Sequence, residues 1–153
     1  MENQEIFEKL TWNIKNFSKL KILMDIKSDP FILAGYAWRV ILHPHCKNPD
    51  PNSKDDLVTI SLKAVRTTSM SKGWSRHVKY NLSIFNQLDS NMTIGTGEST
   101  NLHEYNENQL NWAYSPFMTL VELCDLENGF VVNDTCIILV LRYLLVNQQM
   151  RIP

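Results

Sequence analysis

The sequence predicts an antiparallel β-sandwich of about eight strands with one short helix, on three observations. Apolar and polar residues alternate with period two in several segments. Clusters rich in Pro, Asn, Asp, Ser and Gly separate those segments. Helix signals are confined to a single stretch near Thr119.

Taken in chain order, the apolar run Phe31-Ile32-Leu33 meets Tyr36–Leu42 across Ala34-Gly35, a tight turn in which Gly35 can take positive φ. Tyr36, Trp38, Val40 and Leu42 share one face of the second strand and Arg39 lies on the other. Pro44 to Asp56 carries three prolines and reads as a long exposed loop. Leu57–Ala64 alternates again, with Val58, Ile60, Leu62 and Ala64 opposite Thr59, Ser61 and Lys63. Thr67–Gly73 is a second loop, Val78–Phe85 a strand, Asp89–Asn101 a third loop and Leu102–Asn106 a weaker strand. Thr119-Leu120-Val121-Glu122 fits a capping box: the Thr hydroxyl accepts an orphan helix N–H while the Glu reaches back to the cap. Asn128-Gly129 closes that region, and Thr135–Val146 forms the last strand.

At 153 residues the chain is expected to form a single domain, 1–153, with its core between about 7 and 146 and a polar tail over 147–153. Lys and Arg number 15 against 16 acidic residues, and no basic stripe stands out, so nucleic acid is not an expected partner. The longest apolar run, Cys136–Leu141, is too short to cross a membrane. Met1–Leu10 is polar and acidic, so no secretory leader is expected. Cys46, Cys124 and Cys136 are odd in number and irregularly spaced, which points to a reducing compartment, cytoplasmic or nuclear. The Asn-x-Ser/Thr triplets at Asn16, Asn81, Asn91 and Asn133 are then read as chance.

His43-Pro44-His45-Cys46 has the donor chemistry to seed a zinc site, but His77 and His103 follow no zinc spacing, so these are read as loop histidines. Cys124 and Cys136 fall in helix and strand positions, where a small buried thiol is the usual role. Turn and capping roles account for Asp125, Glu127 and Asp134. No nucleophile elbow, phosphate-cradling loop or carboxylate pair is visible, so no catalytic residue, cofactor or metal is expected and the chain is not read as an enzyme.

Five blocks occur in order: Leu10-Thr11-Trp12-Asn13-Ile14-Lys15-Asn16-Phe17-Ser18; Ser28-Asp29-Pro30-Phe31; Gly35-Tyr36-Ala37-Trp38-Arg39-Val40; Gly73-Trp74-Ser75-Arg76; and Asn111-Trp112-Ala113-Tyr114-Ser115-Pro116-Phe117-Met118. Together they resemble the MATH (meprin and TRAF homology) domain, plant-type, similar to the domains of ubiquitin-specific proteases and MATH-only proteins. The resemblance implies a sandwich with a groove on one sheet that binds short extended peptide segments of partner proteins. It also implies a non-catalytic adaptor that recruits substrates in ubiquitin-related pathways, with micromolar affinity. A TRAF-type self-association domain and an extracellular recognition sandwich are the alternatives.

The resemblance places Trp112 and Tyr114 in the groove, with Ser61, Tyr80, His103, Asn111 and Ala113 around them. Three positions depart from the family pattern. Ser61 stands where relatives carry tyrosine, which shrinks the lining. Asn111 replaces aspartate, removing a charged acceptor. Ala113 replaces glycine and obstructs close backbone approach. Strict alternation puts Tyr80 with Val78, Leu82 and Ile84 on the core side, leaving groove and core both open for it. Trp12, Trp38 and Trp74 are read as core or loop anchors.

Overall fold

The computed structural model describes residues 6–68, 70–95, 102–113 and 118–143. In chain order these form β1 (Ile6–Ile14), α1 (Phe17–Leu20), β2 (Ile26–Lys27), β3 (Phe31–Leu33), β4 (Tyr36–Cys46), β5 (Leu57–Ala64) and β6 (Ser75–Ile84). A 3-10 turn (Ser90–Met92) follows, then β7 (Ile94–Gly95), β8 (Leu102–Asn106), β9 (Asn111–Ala113), β10 (Met118–Thr119), α2 (Leu120–Cys124), β11 (Val131–Val132) and β12 (Thr135–Tyr143). Two antiparallel sheets result. One has the order β1-β12-β6-β7, with β11 also on β12 and β8 on β6. The other has the order β10-β5-β4-β2, with β3 also on β4 and β9 on β5. The strands beyond the predicted eight or so are segments of two or three residues, too short to show a period.

Alternation decides the core. Trp38, Val40 and Leu42 of β4 and Val58, Ile60, Leu62 and Ala64 of β5 point inward from one sheet. Val78, Tyr80, Leu82 and Ile84 of β6 and Cys136, Ile138 and Val140 of β12 meet them from the other, every one at most 2% exposed. Each large aliphatic side chain so buried contributes roughly 1.5–3 kcal/mol. Tight turns set the register. Ala34 (φ 56°) and Gly35 (φ 78°) join β3 to β4, and Asn133 (φ 51°) and Asp134 (φ 56°) join β11 to β12. Two successive left-handed residues match the twist of the strands they connect.

The capping box forms as predicted: Thr119 Oγ1 accepts from the Glu122 amide at 3.1 Å, and Glu122 Oε1 accepts from the Thr119 amide at 3.4 Å. Two expectations need correction. The first is the single helix: α1 is a second one, and its four residues carry no readable period. Left-handed Asn16 opens it, and Asp134 holds its first turn, its carbonyl accepting from the Phe17 amide and its carboxylate from the Ser18 amide and hydroxyl. The second is the loop from Pro44. β4 continues through Pro44 to Cys46, with an irregularity in its pairing to β5 between His43 and Cys46. A buried proline fits there because the ladder is interrupted and its missing N–H is not needed.

Candidate functional site

The outer face of the β4–β5 sheet collects the side chains that alternation turns away from the core. Register lines them up in rows. Lys27, Ile41, Ser61 and Ala113 run across β2, β4, β5 and β9; beside them run Arg39, Lys63 and Asn111. A cavity of about 470 Å³ opens at one end of this face, lined by Lys27, Arg39, Ile41, Lys63, Arg66 and Leu110 among others. Its floor is apolar and its rim is cationic. Among the described residues no carboxylate pairs with any of the four cations; Arg39 donates to the Ser28 carbonyl at 3.1 Å and Arg66 reaches the Glu107 carbonyl at 3.5 Å.

The other end of the face is built differently. Asp25 accepts from His43 Nδ1 at 2.7 Å, and the Ser61 hydroxyl lies 2.9 Å from His43 Nε2, placed to donate to it. This is the order of an acyl-transfer relay. Ser61, however, is 0% exposed, so its hydroxyl cannot meet a substrate carbonyl. The chain of bonds instead ties the segment before β2 to β4 and β5. The small residue at Ser61 is filled over by the His43 ring, so it does not open a pocket.

A second group of predicted residues lies at the edge between the sheets. Trp112 is opposite Leu62 in register, so its indole turns toward the core side while Asn111 and Ala113 take the outer face. Trp112 Nε1 donates to the Glu104 carbonyl of β8 at 2.8 Å, bridging the two sheets. The His103 ring packs, tilted, between Trp112 (5.1 Å) and Tyr80 (5.0 Å), and burial pushes its pKa below the usual 6.5. Tyr80 lies 2.6 Å from Tyr105 through their hydroxyls, and the Tyr105 hydroxyl donates to the Leu62 carbonyl at 2.9 Å. A carbonyl only accepts, so Tyr105 spends its proton there and Tyr80 is the donor to Tyr105.

The seven predicted residues therefore divide. Asn111 and Ala113 lie on the outer face, half-buried and exposed respectively. Trp112 and His103 are half-buried at the edge. Tyr80 and Ser61 have no exposed surface: Ser61 lies under His43 on the outer face, and Tyr80 takes the core side that alternation gave it. Tyr114 lies outside the described residues. The rim cations Lys27, Arg39, Lys63 and Arg66 were not singled out as site residues in the sequence. Alternation puts Arg39 and Lys63 on the outer faces of their strands, but only the register sets them side by side.

The remaining reactive groups are committed elsewhere. Both nitrogens of His45 face acceptors, Asp56 at 2.7 Å and the Lys21 carbonyl at 2.5 Å. Only an imidazolium donates twice, and the Asp56 hydrogen bond foremost, against some desolvation, raises its pKa above 6.5. Burial pushes the Cys136 thiol up to about 12 and raises Cys46 and Cys124 as well, the reverse of what a thiolate nucleophile needs.

Comparison with known proteins agrees with this architecture. The sequence profile of the MATH domain matches residues 9–141. Ubiquitin C-terminal hydrolase 12 of Arabidopsis thaliana is 32% identical over 130 residues, 85% of this chain and 11% of that protein. A MATH domain and coiled-coil domain-containing protein of the same plant is 31% identical over 90% of the chain and 41% of its own length. Protein RESTRICTED TEV MOVEMENT 3, also from Arabidopsis thaliana, is 33% identical over 82% of the chain and 40% of its length. The chain thus spans between about a tenth and two-fifths of these relatives. Among solved structures, TRAF5 of Notothenia coriiceps superposes with a TM-score of 0.58 at 16% identity, covering 90% of this chain and 73% of that one, which is a likeness of fold. With the paired sheets, the ordered sequence blocks and the profile match in agreement, the chain belongs to the MATH domain family, a family of protein-interaction modules.

Proposed function

We propose that this domain is a non-catalytic adaptor that binds short extended peptide segments across the outer face of the β2–β4–β5–β9 sheet. The observation that carries the reading is the open depression on that face, beside a short strand, β9, whose Ala113 is exposed. Asn111 Oδ1, on the same strand, is buried with no hydrogen-bond partner among the described residues. A buried acceptor without a donor is unfavourable, and a turn of the Asn111 side chain toward the outer face would let the N–H of an incoming peptide relieve it. Asn111 and Ala113 contact the ligand, Trp112 and His103 border it at the edge, and Tyr114 extends it as the resemblance implies. The similarity to ubiquitin C-terminal hydrolase 12 supports a recruiting role in ubiquitin-related pathways, with the chemistry performed elsewhere. Free thiols at Cys46, Cys124 and Cys136 fit the reducing cytoplasm or nucleus.

The test is a display selection of proteome-derived peptides on the wild-type domain and on Ala113→Trp, which fills the outer face without entering the core. Enrichment of a short motif on the wild type, lost in the variant, supports the adaptor. A folded domain that enriches nothing, or a motif retained by the variant, contradicts it.

A further inference from the structure

The cationic rim has an electrostatic feature that the peptide-binding reading does not require. Arg39 and Lys63 are direct cross-strand partners on β4 and β5, where like charges repel. Lys27 is opposite Ile41, two residues along β4 from Arg39, and Arg66 lies two residues past the end of β5. Four cations thus rim one cavity. No carboxylate among the described residues is paired with any of them, although the chain as a whole carries a net charge of -1. The excess is local. Asp25 and Asp56 are engaged by histidines and Glu8 by Arg142, so these carboxylates do not offset the rim.

The arrangement of the cations restricts what they bind. Lys27, Arg39 and Lys63 project from three successive strands, and neighbouring strands are about 4.8 Å apart. Spread charges suit several singly charged groups along an extended chain better than one compact dianion, which is held by donors converging on a point. Between them lies an apolar floor made by Ile41, Val65 and Leu110. From this we infer that the cavity is a specificity pocket for an acidic peptide segment, one that seats an apolar side chain on Ile41 and Leu110 while flanking Asp or Glu carboxylates meet Arg39, Lys63 and Lys27. The inference rests on the peptide-binding reading and adds the charge class of the ligand. Its site is centred on the cations and not on the aromatic edge at Trp112.

Random nonapeptides displayed on phage are selected in parallel on the wild-type domain and on Lys63→Glu. That variant turns the repelling cross-strand pair into an attractive one, so the fold is not put at risk. The expected result is an Asp and Glu content at least twofold above the starting library on the wild type, returning to library level on Lys63→Glu. The best wild-type peptide is then resynthesised with Gln for Glu and Asn for Asp, and separately with phosphoserine for its central acidic residue. The amide peptide should bind at least tenfold more weakly, and the parent's affinity should fall as salt rises from about 50 to 300 mM.

Strong enrichment without acidic bias, or with equal selection on Lys63→Glu, overturns this inference and leaves the peptide-binding reading standing. A phosphoserine peptide more than tenfold tighter than its acidic parent overturns it in favour of phosphate recognition. Failure to enrich anything on the folded wild type removes both.

Discussion

Arg142 Nε lies 2.6 Å from Glu8 Oε1, joining β12 to β1 across 134 positions of sequence. The same Glu8 oxygen accepts from the Ala34 amide at 3.0 Å, in the β3–β4 turn of the opposite sheet. One carboxylate therefore clamps both layers at the end of the sandwich. Arg142 continues the inward-facing row Cys136, Ile138, Val140, so its charge is held in the core wall.

Removing one partner of an ion pair costs several kcal/mol when the pair is fully buried. Glu8 keeps 30% of its side chain exposed, which reduces that figure. Arg142→Met should lower the urea-unfolding free energy by about 2–3 kcal/mol. Glu8→Gln retains an acceptor for Ala34 and should lose less, about 1–2 kcal/mol.

The relay Tyr80–Tyr105–Leu62 predicts an asymmetry. Tyr105→Phe removes both the donor to the Leu62 carbonyl and the hydroxyl that Tyr80 bonds, two buried hydrogen bonds at once. It should destabilise by about 2–3 kcal/mol. Tyr80→Phe leaves the bond to Leu62 intact and should cost about 1 kcal/mol. In a double-mutant cycle the pair should be non-additive, with the double variant less destabilised than the sum of the two singles.

His45 makes stability depend on pH. Its folded pKa is raised above 6.5 chiefly by Asp56, so its contribution is fully present below the unfolded value and is lost as pH rises through the folded one. His103 has the opposite sign, because burial lowers its pKa and acid must charge it in place. The two are separated by difference: from pH 6 to 8 the Tm advantage of wild type over His45→Gln should shrink. A constant gap between the two melting profiles would contradict the assignment.

How much of this was legible in the sequence depends on the range of the interaction. Val58, Ile60, Leu62 and Ala64 announce their buried face because alternation is local, and Thr119 with Glu122 announces a helix start for the same reason. The Ala34-Gly35 turn was legible because it needs left-handed residues. Pro44 misled: prolines mark loops unless a ladder irregularity excuses them, and that irregularity depends on a partner strand. Helix α1 owes its first turn to Asp134, 116 positions from Ser18, which no local pattern reveals. The geometry of the candidate site was less legible for the same reason. Trp112 and Asn111 are adjacent in sequence but on opposite faces, and the contacts of Ser61 with His43 and of Arg39 with Lys63 depend on register between strands.

Trp112 is consequently a structural residue as well as a border of the proposed site. Truncation to alanine would remove packing on His103 and the bond to Glu104 together. Trp112→Phe keeps an aromatic ring and loses the indole N–H, and should cost about 1 kcal/mol in chemical denaturation. It is the variant with which to ask whether the ring itself contributes to binding.

The central claim is that a peptide lies on the outer face of the β2–β4–β5–β9 sheet. The most direct test is amide chemical-shift mapping of the isotopically labelled domain, titrated with the most enriched peptide from the display selection. The account predicts the largest shifts at Arg39, Ile41, Ser61, Lys63, Asn111 and Ala113, with little change along β1 and β12. Shifts centred on β1 and β12, with β4, β5 and β9 undisturbed, would contradict it.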